Sequence, residues 1–184
     1  MKRLSEDIWT IPEFLSADAC TTHINRAEGI GFEPAMVNSV RGPKQDTAVR
    51  NNDRVIVDDH RLAADLWLKL QENIPSFMHG QQALGLNERF RFYRYDQTQR
   101  FRGHVDAPYR RDNGEMSLLT FMIYLNANYA GGETTFPNVS VTPQLGAALI
   151  FRHEIFHEGK PVISGRKYVL RSDVMFNPIG RIRG

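Results

Sequence analysis

The stretch Ser117-Leu118-Leu119-Thr120-Phe121-Met122-Ile123-Tyr124-Leu125 decides the fold that the sequence predicts. From Leu118 onward its apolar residues lack the regular polar alternation of a strand with one face in water. The stretch has the length of a strand and is far too short to span a bilayer. We therefore expect a strand covered on both faces, with the N-terminal helices as the candidate cover.

Further short strands separated by turn residues surround this stretch. Proline, glycine and asparagine punctuate the region, as in Gly131-Gly132 and Pro137-Asn138. Many short strands favour a sandwich or jelly roll over a parallel sheet. We predict an α+β, mainly β fold: a double-stranded β-helix (jelly roll) with supporting N-terminal helices. The other predicted strands are 89–95, 133–136, 147–151 and 167–176.

The first third of the chain reads as helical. Ser16 can cap a helix that ends at Gly29, and Asp59 can cap a second helix over 61–73. Between the helices, the polar segment 40–46 contains a Gly-Pro break and reads as an exposed loop.

No composition shift or linker divides the chain, so we expect a single domain over 1–184. Its N-terminal helices would occupy 1–88 and its jelly-roll core 89–178.

Composition limits the function classes. With 184 residues, 41% hydrophobic and 24% charged, the chain is typical of a soluble globular protein. A net charge of +2 favours neither a nucleic-acid nor a membrane partner. Cys20 is the single cysteine, and the acidic N-terminal segment does not resemble a signal peptide, so we expect a cytoplasmic protein. The sequence leaves the oligomeric state open.

His104-Val105-Asp106 and His157 supply the chemistry. Two imidazoles and one carboxylate are the ligand set that holds non-haem Fe(II) and leaves coordination positions open. Residues two apart on a strand project to one face, so His104 and Asp106 are expected to point together into the barrel. A jelly roll can bring the distant His157 beside them. His153 is a rival third ligand, but the base that follows favours His157.

A cation suited to an oxo-acid co-substrate follows the second histidine. Lys167 lies ten positions after His157 (167 − 157) and opens a strand after a glycine turn. A charge-assisted hydrogen bond to a desolvated carboxylate is strong enough to select such a molecule. Arg171, which shares strand parity with Lys167, ranks second, and Arg166 faces the other way. Tyr95 can donate its hydroxyl to the same carboxylate, although a core tyrosine would fit the spacing equally well.

These segments together resemble the prolyl 4-hydroxylase-like branch of the 2-oxoglutarate/Fe(II) dioxygenases, over roughly residues 90 to 176. Several independent motifs occur in the family's order, which makes the resemblance specific. They are Arg94-Tyr95, His104-Val105-Asp106, Tyr124-Leu125-Asn126, Gly131-Gly132-Glu133-Thr134-Thr135-Phe136-Pro137, Val141-Thr142-Pro143 with Gly146, and His157 through Lys167-Tyr168.

The resemblance implies His104, Asp106 and His157 as catalytic iron ligands and Lys167 with Tyr95 as the 2-oxoglutarate site. It implies Fe(2+), 2-oxoglutarate and O2 as cofactors, with ascorbate as a candidate reductant. It also implies a loop that closes over the substrate, for which 37–52 is the candidate.

The implied reaction is hydroxylation of an unactivated C–H bond, with 2-oxoglutarate decarboxylated to succinate and CO2. A prolyl or other residue of a protein or peptide is the leading substrate. A free amino acid or small metabolite is the alternative. Asp106 favours hydroxylation over halogenation, which needs a small residue there. No nucleic-acid demethylase signature is present. A non-catalytic metal-binding jelly-roll sensor and a zinc hydrolase are the candidates from other classes.

Seven arginines surround the His-x-Asp motif and could steer an acidic or phosphorylated partner. The alternative is that most lie on solvated strand faces. Arg102 and Arg110 bracket the motif and are the candidate substrate contacts. The seven are Arg89, Arg91, Arg94, Arg100, Arg102, Arg110 and Arg111.

Overall fold

The computed structural model describes residues 1–37 and 42–178. The helices are α1 (Ala17–Ile30) and α2 (His60–Leu70), and a 3-10 turn (Gln71–Asn73) follows α2. The strands are β1 (Lys2–Ser5), β2 (Ile8–Ile11), β3 (Glu33–Pro34), β4 (Asp53–Asp58), β5 (Phe77–Met78), β6 (Gln81–Leu86), β7 (Arg89–Tyr95), β8 (Phe101–His104), β9 (Met116–Tyr124), β10 (Tyr129–Gly131), β11 (Thr134–Thr135), β12 (Ser140–Val141), β13 (Ala148–Arg152), β14 (His157–Gly159), β15 (Val162–Gly165) and β16 (Lys167–Phe176).

A ten-stranded antiparallel major sheet is the main layer, in the order β1-β2-β13-β9-β16-β7-β4-β3. Strand β16 pairs with β9 along one edge and with β7, then β6, along the other; β5 extends β6. A four-stranded minor sheet has the order β12-β11-β14-β8, and β10 pairs with β15. The predicted mainly β jelly-roll fold with N-terminal helices is confirmed.

Strand β9 is covered on both faces, as its lack of alternation predicts. Leu119, Phe121 and Ile123 are fully buried in a core shared with α1 and α2. Tyr124 belongs to a second core, which the major sheet shares with residues of the minor sheet. Each such buried side chain contributes on the order of 2 kcal/mol. Phe121→Ala would cost about 3–5 kcal/mol, because the two layers cannot both collapse into the space.

Helix starts match the predicted caps. Ser16 Oγ accepts a hydrogen bond from Ala19 N at 3.2 Å, and Asp59 Oδ1 accepts one from Leu62 N at 2.9 Å. Helix α1 continues through Gly29 to Ile30, and Gly31 adopts the positive φ that ends it.

The region before residue 89 contains strands that the helical prediction missed. Strands β2, β4 and β6 join the major sheet beside the helices. Each has only four to six residues, so its apolar pattern is too short to distinguish a strand from a loop before pairing. The sheet therefore extends across position 88, and the N-terminal part supplies strands as well as helices.

Within the described ranges, no helix combines the length and the apolar character needed to cross a membrane.

Candidate functional site

Strands β8 and β14 bring the two predicted histidines together. They pair antiparallel with His104 directly opposite His157, and the two ring centroids lie 4.3 Å apart. The long segment between them in sequence is taken up by strands of both sheets. The pairing of β8 with β14 in the minor sheet therefore brings together two histidines that lie far apart in the sequence.

Asp106 reaches the histidines by a different route from the predicted one. Strand β8 ends at His104, so Asp106 lies beyond the strand, and its N–H donates to the carbonyl of His153 at 2.9 Å. Val105 is 54% exposed and points away from the site. His104 and Asp106 do point into the same site, as expected. The direction of the Asp106 side chain is set by the hydrogen bond of its backbone to His153 and not by the alternation of side chains along a strand.

The three side chains form a convergent set of ligand atoms. One atom from each of His104, Asp106 and His157 lies within 4.8 Å of the others. The Nε2 atoms of both histidines lie 3.6 Å from carboxylate oxygens of Asp106. This donor set of two nitrogens and one oxygen is the one that non-haem Fe(II) takes, with coordination positions to spare.

Backbone carbonyls orient both imidazoles. Nδ1 of His104 lies 2.7 Å from the carbonyl of Arg102, and Nδ1 of His157 lies 2.9 Å from that of Ile155. A carbonyl only accepts, so each Nδ1 carries the proton and each Nε2 presents a lone pair to the centre of the site. This is the outer-shell arrangement that metal-binding histidines use.

The charge states suit a cation. Burial lowers the pKa of His157 to about 4, so this imidazole is neutral at physiological pH. Burial alone would raise the pKa of Asp106, but Arg171 and the neighbouring hydrogen bonds hold it well below its usual range. The site therefore combines neutral imidazole with ionised carboxylate, which are the forms that bind a divalent metal.

Aromatic rings enclose the histidines. Phe101 stacks on His104 with centroids 3.6 Å apart, and Phe151 meets His157 edge-on at 4.5 Å. The cavity beside them encloses about 450 Å³ of empty space, including its open mouth. A larger cavity lies elsewhere, between α2, β6 and the end of β16, and its lining contains none of these three ligand candidates.

Lys167 lies in the same cavity as the triad. It is 3% exposed and donates from Nζ to the carbonyl of Gly132 at 2.6 Å. In the part of the chain that the structure describes, it forms no ion pair, and burial lowers its pKa to about 7 although Glu133 opposes this. A buried ammonium without a carboxylate suits an anionic ligand.

Tyr95 lies directly opposite Lys167 where β7 pairs with β16. The Lys167 Nζ is 5.3 Å from the ring centroid of Tyr95 and 5.4 Å from that of Tyr124. Burial raises the pKa of Tyr95 to about 12, so its hydroxyl keeps the proton that a donor needs. The structure thus brings Tyr95 to the predicted cation.

Sequence reasoning about roles missed Tyr124, Thr134 and Thr120. The Tyr124 hydroxyl and Thr134 Oγ1 are 2.8 Å apart beside Lys167, and Thr120 contacts Asp106. A buried hydroxyl in an otherwise apolar strand was the available signal for Thr120, since such a group needs a partner.

Arg171 lies at the metal end of the cavity. Its Nη2 is 3.0 Å from Asp106 Oδ2 and 3.3 Å from Asp173 Oδ1. Burial alone would lower the pKa of Arg171, but these two carboxylates raise it. Its charge is therefore shared between two protein carboxylates, while Lys167 has no carboxylate partner among the described residues.

His153 is buried but lies outside the convergent group of ligand atoms. Its ring lies within hydrogen-bond distance of Ser117 Oγ at 2.8 Å and Thr120 Oγ1 at 2.9 Å. Both ring nitrogens are thus occupied by hydroxyl groups.

The seven arginines divide into two groups. Four form ion pairs: Arg89 with Asp58, Arg91 with Asp173, Arg94 with Glu28 and Asp53, and Arg111 with Glu88 and Glu115. The other three have no carboxylate partner among the described residues: Arg100, Arg102 and Arg110. Arg102 and Arg110 are exposed and flank the metal site in sequence. Arg166 pairs with Asp96 outside the cavity.

The candidate closing segment 37–52 is described except for residues 38–41. Its end is attached to β8, because Arg102 N donates to Val49 O and Arg50 stacks over the ring of Phe101 at 4.1 Å. Arg50 also donates to Asn52 Oδ1. This segment therefore borders the strand that carries His104.

Comparison with known proteins agrees with this geometry. Residues 90–172 match the model of the 2OG-Fe(II) oxygenase superfamily. The chain is 26% identical to probable prolyl 4-hydroxylase 3 of Arabidopsis thaliana, over 84% of this chain and 64% of that protein. The chain thus spans less than two thirds of the length of that relative.

Solved structures share the fold. A Trichoplax adhaerens prolyl hydroxylase, in complex with a hypoxia inducible factor oxygen degradation domain peptide fragment, aligns with a TM-score of 0.73 and 18% identity, covering 92% of this chain and 84% of that one. The viral collagen prolyl hydroxylase of Paramecium Bursaria Chlorella virus-1, solved with 2OG, aligns with a TM-score of 0.65 and 22% identity, covering 93% and 97%. Residues 90–172 are thus similar to the 2OG-Fe(II) oxygenase superfamily, and the chain as a whole is similar to a probable prolyl 4-hydroxylase.

Proposed function

We propose that the protein is an Fe(II)- and 2-oxoglutarate-dependent oxygenase that hydroxylates an unactivated C–H bond. One observation carries the proposal: the convergent atoms of His104, Asp106 and His157 share a cavity with Lys167, a buried cation that forms no ion pair within residues 1–37 and 42–178. The first group suits Fe(II) and the second suits the far carboxylate of an oxo-acid.

Each residue has a role in holding the reactants. His104, Asp106 and His157 would hold the iron on one face, while Lys167 and Tyr95 would bind the far carboxylate of 2-oxoglutarate. Phe101 and Phe151 exclude water around the histidines. The bound iron would supply the redox chemistry that couples O2 and 2-oxoglutarate decarboxylation to substrate hydroxylation, giving succinate and CO2. Ascorbate is the candidate reductant.

The proposed substrate is a prolyl residue in a protein or peptide. Two of the relatives named above are prolyl hydroxylases of known structure, and one of them was solved with a peptide bound. Arg102 and Arg110 are exposed and have no carboxylate partner in the described part of the chain, which favours a peptide with acidic side chains near the target residue. A free amino acid or small metabolite is the second candidate, and a requirement for flanking residues would separate the two.

The domain extent and the location are part of the proposal. We propose that 1–184 forms one oxygenase domain, supported by strands on both sides of position 88 that share one sheet. A cytoplasmic location is supported by the single cysteine, Cys20.

An anaerobic titration tests the proposed function. Fe(II) and 2-oxoglutarate are added to the apo-protein, and the visible charge-transfer band of the joint complex is recorded for wild type and Lys167→Ala. We expect a band in the wild type that needs a higher 2-oxoglutarate concentration in the variant. A folded, iron-bound protein without the band would refute the assignment and favour the metal-binding sensor module. A hydrolase would bind metal but give no 2-oxoglutarate-dependent band.

A further inference from the structure

A chain of buried side chains lies behind Asp106. Thr120 Oγ1 lies 2.6 Å from Asp106 Oδ2 and 2.9 Å from Nδ1 of His153. The Nε2 of His153 lies 2.8 Å from Ser117 Oγ. Tyr109 N donates a separate hydrogen bond to Ser117 Oγ at 2.8 Å. Ser117, Thr120 and His153 are each at most 3% exposed, so water cannot easily replace any of these partners.

Elementary hydrogen-bond rules give this chain one direction. An ionised carboxylate only accepts, so Thr120 gives its single hydroxyl proton to Asp106. Thr120 Oγ1 must then accept from Nδ1–H of His153. A neutral imidazole has one N–H, so its Nε2 accepts from the hydroxyl of Ser117. The arrangement therefore requires the Nδ1–H tautomer of His153.

Asp106 is held at its backbone as well as at its side chain. The carbonyl of His153 accepts from Asp106 N at 2.9 Å, while its ring supports Thr120. Asp106 Oδ2 also receives Arg171 Nη2 at 3.0 Å. Oδ1 faces Nε2 of His104 and Oδ2 faces Nε2 of His157, each at 3.6 Å. Two protein donors, the Thr120 hydroxyl and Arg171, thus hold Oδ2 and fix the orientation of the carboxylate beside both histidines.

We propose that Thr120, supported by His153 and Ser117, is the positioning residue that orients the Asp106 carboxylate for binding the metal. The inference deepens the proposed function and rests on its metal site. His153 acts behind the ligand set in this arrangement, because its two ring nitrogens face the hydroxyl groups of Ser117 and Thr120. Outer-shell partners of this kind typically contribute a factor of about 10–100 in metal affinity.

Metal affinity without 2-oxoglutarate or O2 tests the proposal. Co(II) serves as the probe, and its dissociation constant is measured for Thr120→Val, which removes the hydroxyl with little change of shape. We expect binding about 10–100-fold weaker than wild type. Thr120→Ser keeps the hydroxyl and should restore most of the affinity. Thr10→Val, the same change on β2 away from the site, should bind as wild type does.

A second variant guards against a misfolded Thr120→Val protein. Ser117→Ala leaves Thr120 in place but removes the donor to His153, so we expect a smaller loss of Co(II) affinity in the same direction. Circular dichroism of each apo-variant separates loss of fold from loss of orientation. Wild-type affinity in both folded variants would overturn the proposal.

The tautomer of His153 gives a readout that needs no metal. Nitrogen-15 NMR of the imidazoles in the apo-protein should show Nδ1–H for His153, with a proton slow to exchange that becomes fast in Thr120→Val. An Nε2–H tautomer would overturn the inference. A wild-type protein that shows the expected tautomer but binds no metal would instead contradict the proposed function, so the two failures are distinguishable.

Discussion

Arg171 and Asp106 form a buried ion pair at the metal end of the cavity, with Nη2 3.0 Å from Oδ2. The carboxylate is 9% exposed and has this guanidinium as its ion-pair partner at Oδ2, beside the hydroxyl of Thr120. A buried carboxylate without a cation is costly, so Arg171 keeps the ligand charged and in place in the apo-protein. This position leaves Lys167 as the cation for the co-substrate.

Removing Arg171 should destabilise the apo-protein more than a typical arginine loss. We expect Arg171→Met to lower the free energy of unfolding by about 3 kcal/mol, because Asp106 stays buried without its cation. Saturating Co(II) should recover more stability in this variant than in wild type, since a divalent ion replaces the missing charge. Urea unfolding with and without Co(II) measures both effects.

Arg89→Met is the matched control for this change. Arg89 also lies on the major sheet, but both partners of its ion pair are exposed: 41% of the Arg89 side chain and 58% of the Asp58 side chain. Its loss should cost less than about 1 kcal/mol and leave the effect of Co(II) unchanged. Equal losses in the two variants would contradict the role assigned to Arg171.

Binding of 2-oxoglutarate should take up a proton at alkaline pH. The pKa of Lys167 is lowered to about 7 in the folded apo-protein, against an ordinary value of 10.5, mainly by burial. A bound carboxylate favours the ammonium form and raises this pKa again. We expect uptake approaching one proton near about pH 8.5 and little near about pH 5.5, measured by calorimetry in buffers of different ionisation enthalpy. Lys160→Met, which removes a half-exposed lysine paired with Glu158, should leave the uptake unchanged.

The same shift gives apo-stability a defined pH dependence. Between about pH 7 and 10.5 the unfolded chain keeps the Lys167 proton that the folded protein has lost. Stability contributed by this residue therefore rises with pH across that window and is smallest below it. Lys167→Met should flatten the rise in denaturant midpoints. An unchanged slope in the variant would contradict the buried, unpaired lysine.

Loss of either histidine should abolish metal-dependent turnover. His104→Ala and His157→Ala each remove one of three ligands, so we expect Co(II) affinity to fall more than about 100-fold, beyond the effect of outer-shell changes. Succinate formation from 2-oxoglutarate should fall in parallel. His60→Gln, at the start of α2, should retain both properties. Persistent succinate formation in His104→Ala would show that the ligand assignment is wrong.

Arg102 and Arg110 should affect substrate affinity more than turnover. For a peptide of alternating glutamate and proline, we expect the double change to glutamate to raise KM by roughly tenfold with kcat nearly unchanged, about 0.7 kcal/mol for each residue. Added salt should reduce the difference, because exposed charges are screened. Arg61→Glu, a fully solvated arginine on α2, serves as the control. An equal rise in KM in the double variant and in Arg61→Glu would rule out a specific acidic-peptide surface.

Local pattern predicts much of this fold. Strands β7 and β16 begin and end at the predicted residues, because seven- and ten-residue stretches rich in aromatic and β-branched residues are bounded by turns. Both helices start at their predicted caps, since capping depends only on neighbouring residues. Strands β2, β4 and β6 were not predicted, because they are short and are stabilised by pairing with strands far away in the sequence.

Candidate site residues were predictable where their residue types and their spacing along the chain indicate a metal or anion site. His104, Asp106, His157 and Lys167 form a recognisable series along the chain, and the structure places all four in one cavity. The direction of Asp106 was not predictable, because a contact with His153 sets it after β8 has ended.

The class of fold, the helix caps and the identity of the candidate ligands follow from the amino-acid order, because they depend on periodicity, short-range hydrogen bonds and residue type. Which cation pairs with which carboxylate depends on how the chain folds. Lys167 and Arg171 share a face of β16, yet Asp106 and Asp173 neutralise Arg171, whereas no described carboxylate pairs with Lys167. Such pairing depends on the three-dimensional distance between distant chain segments, which no local pattern encodes.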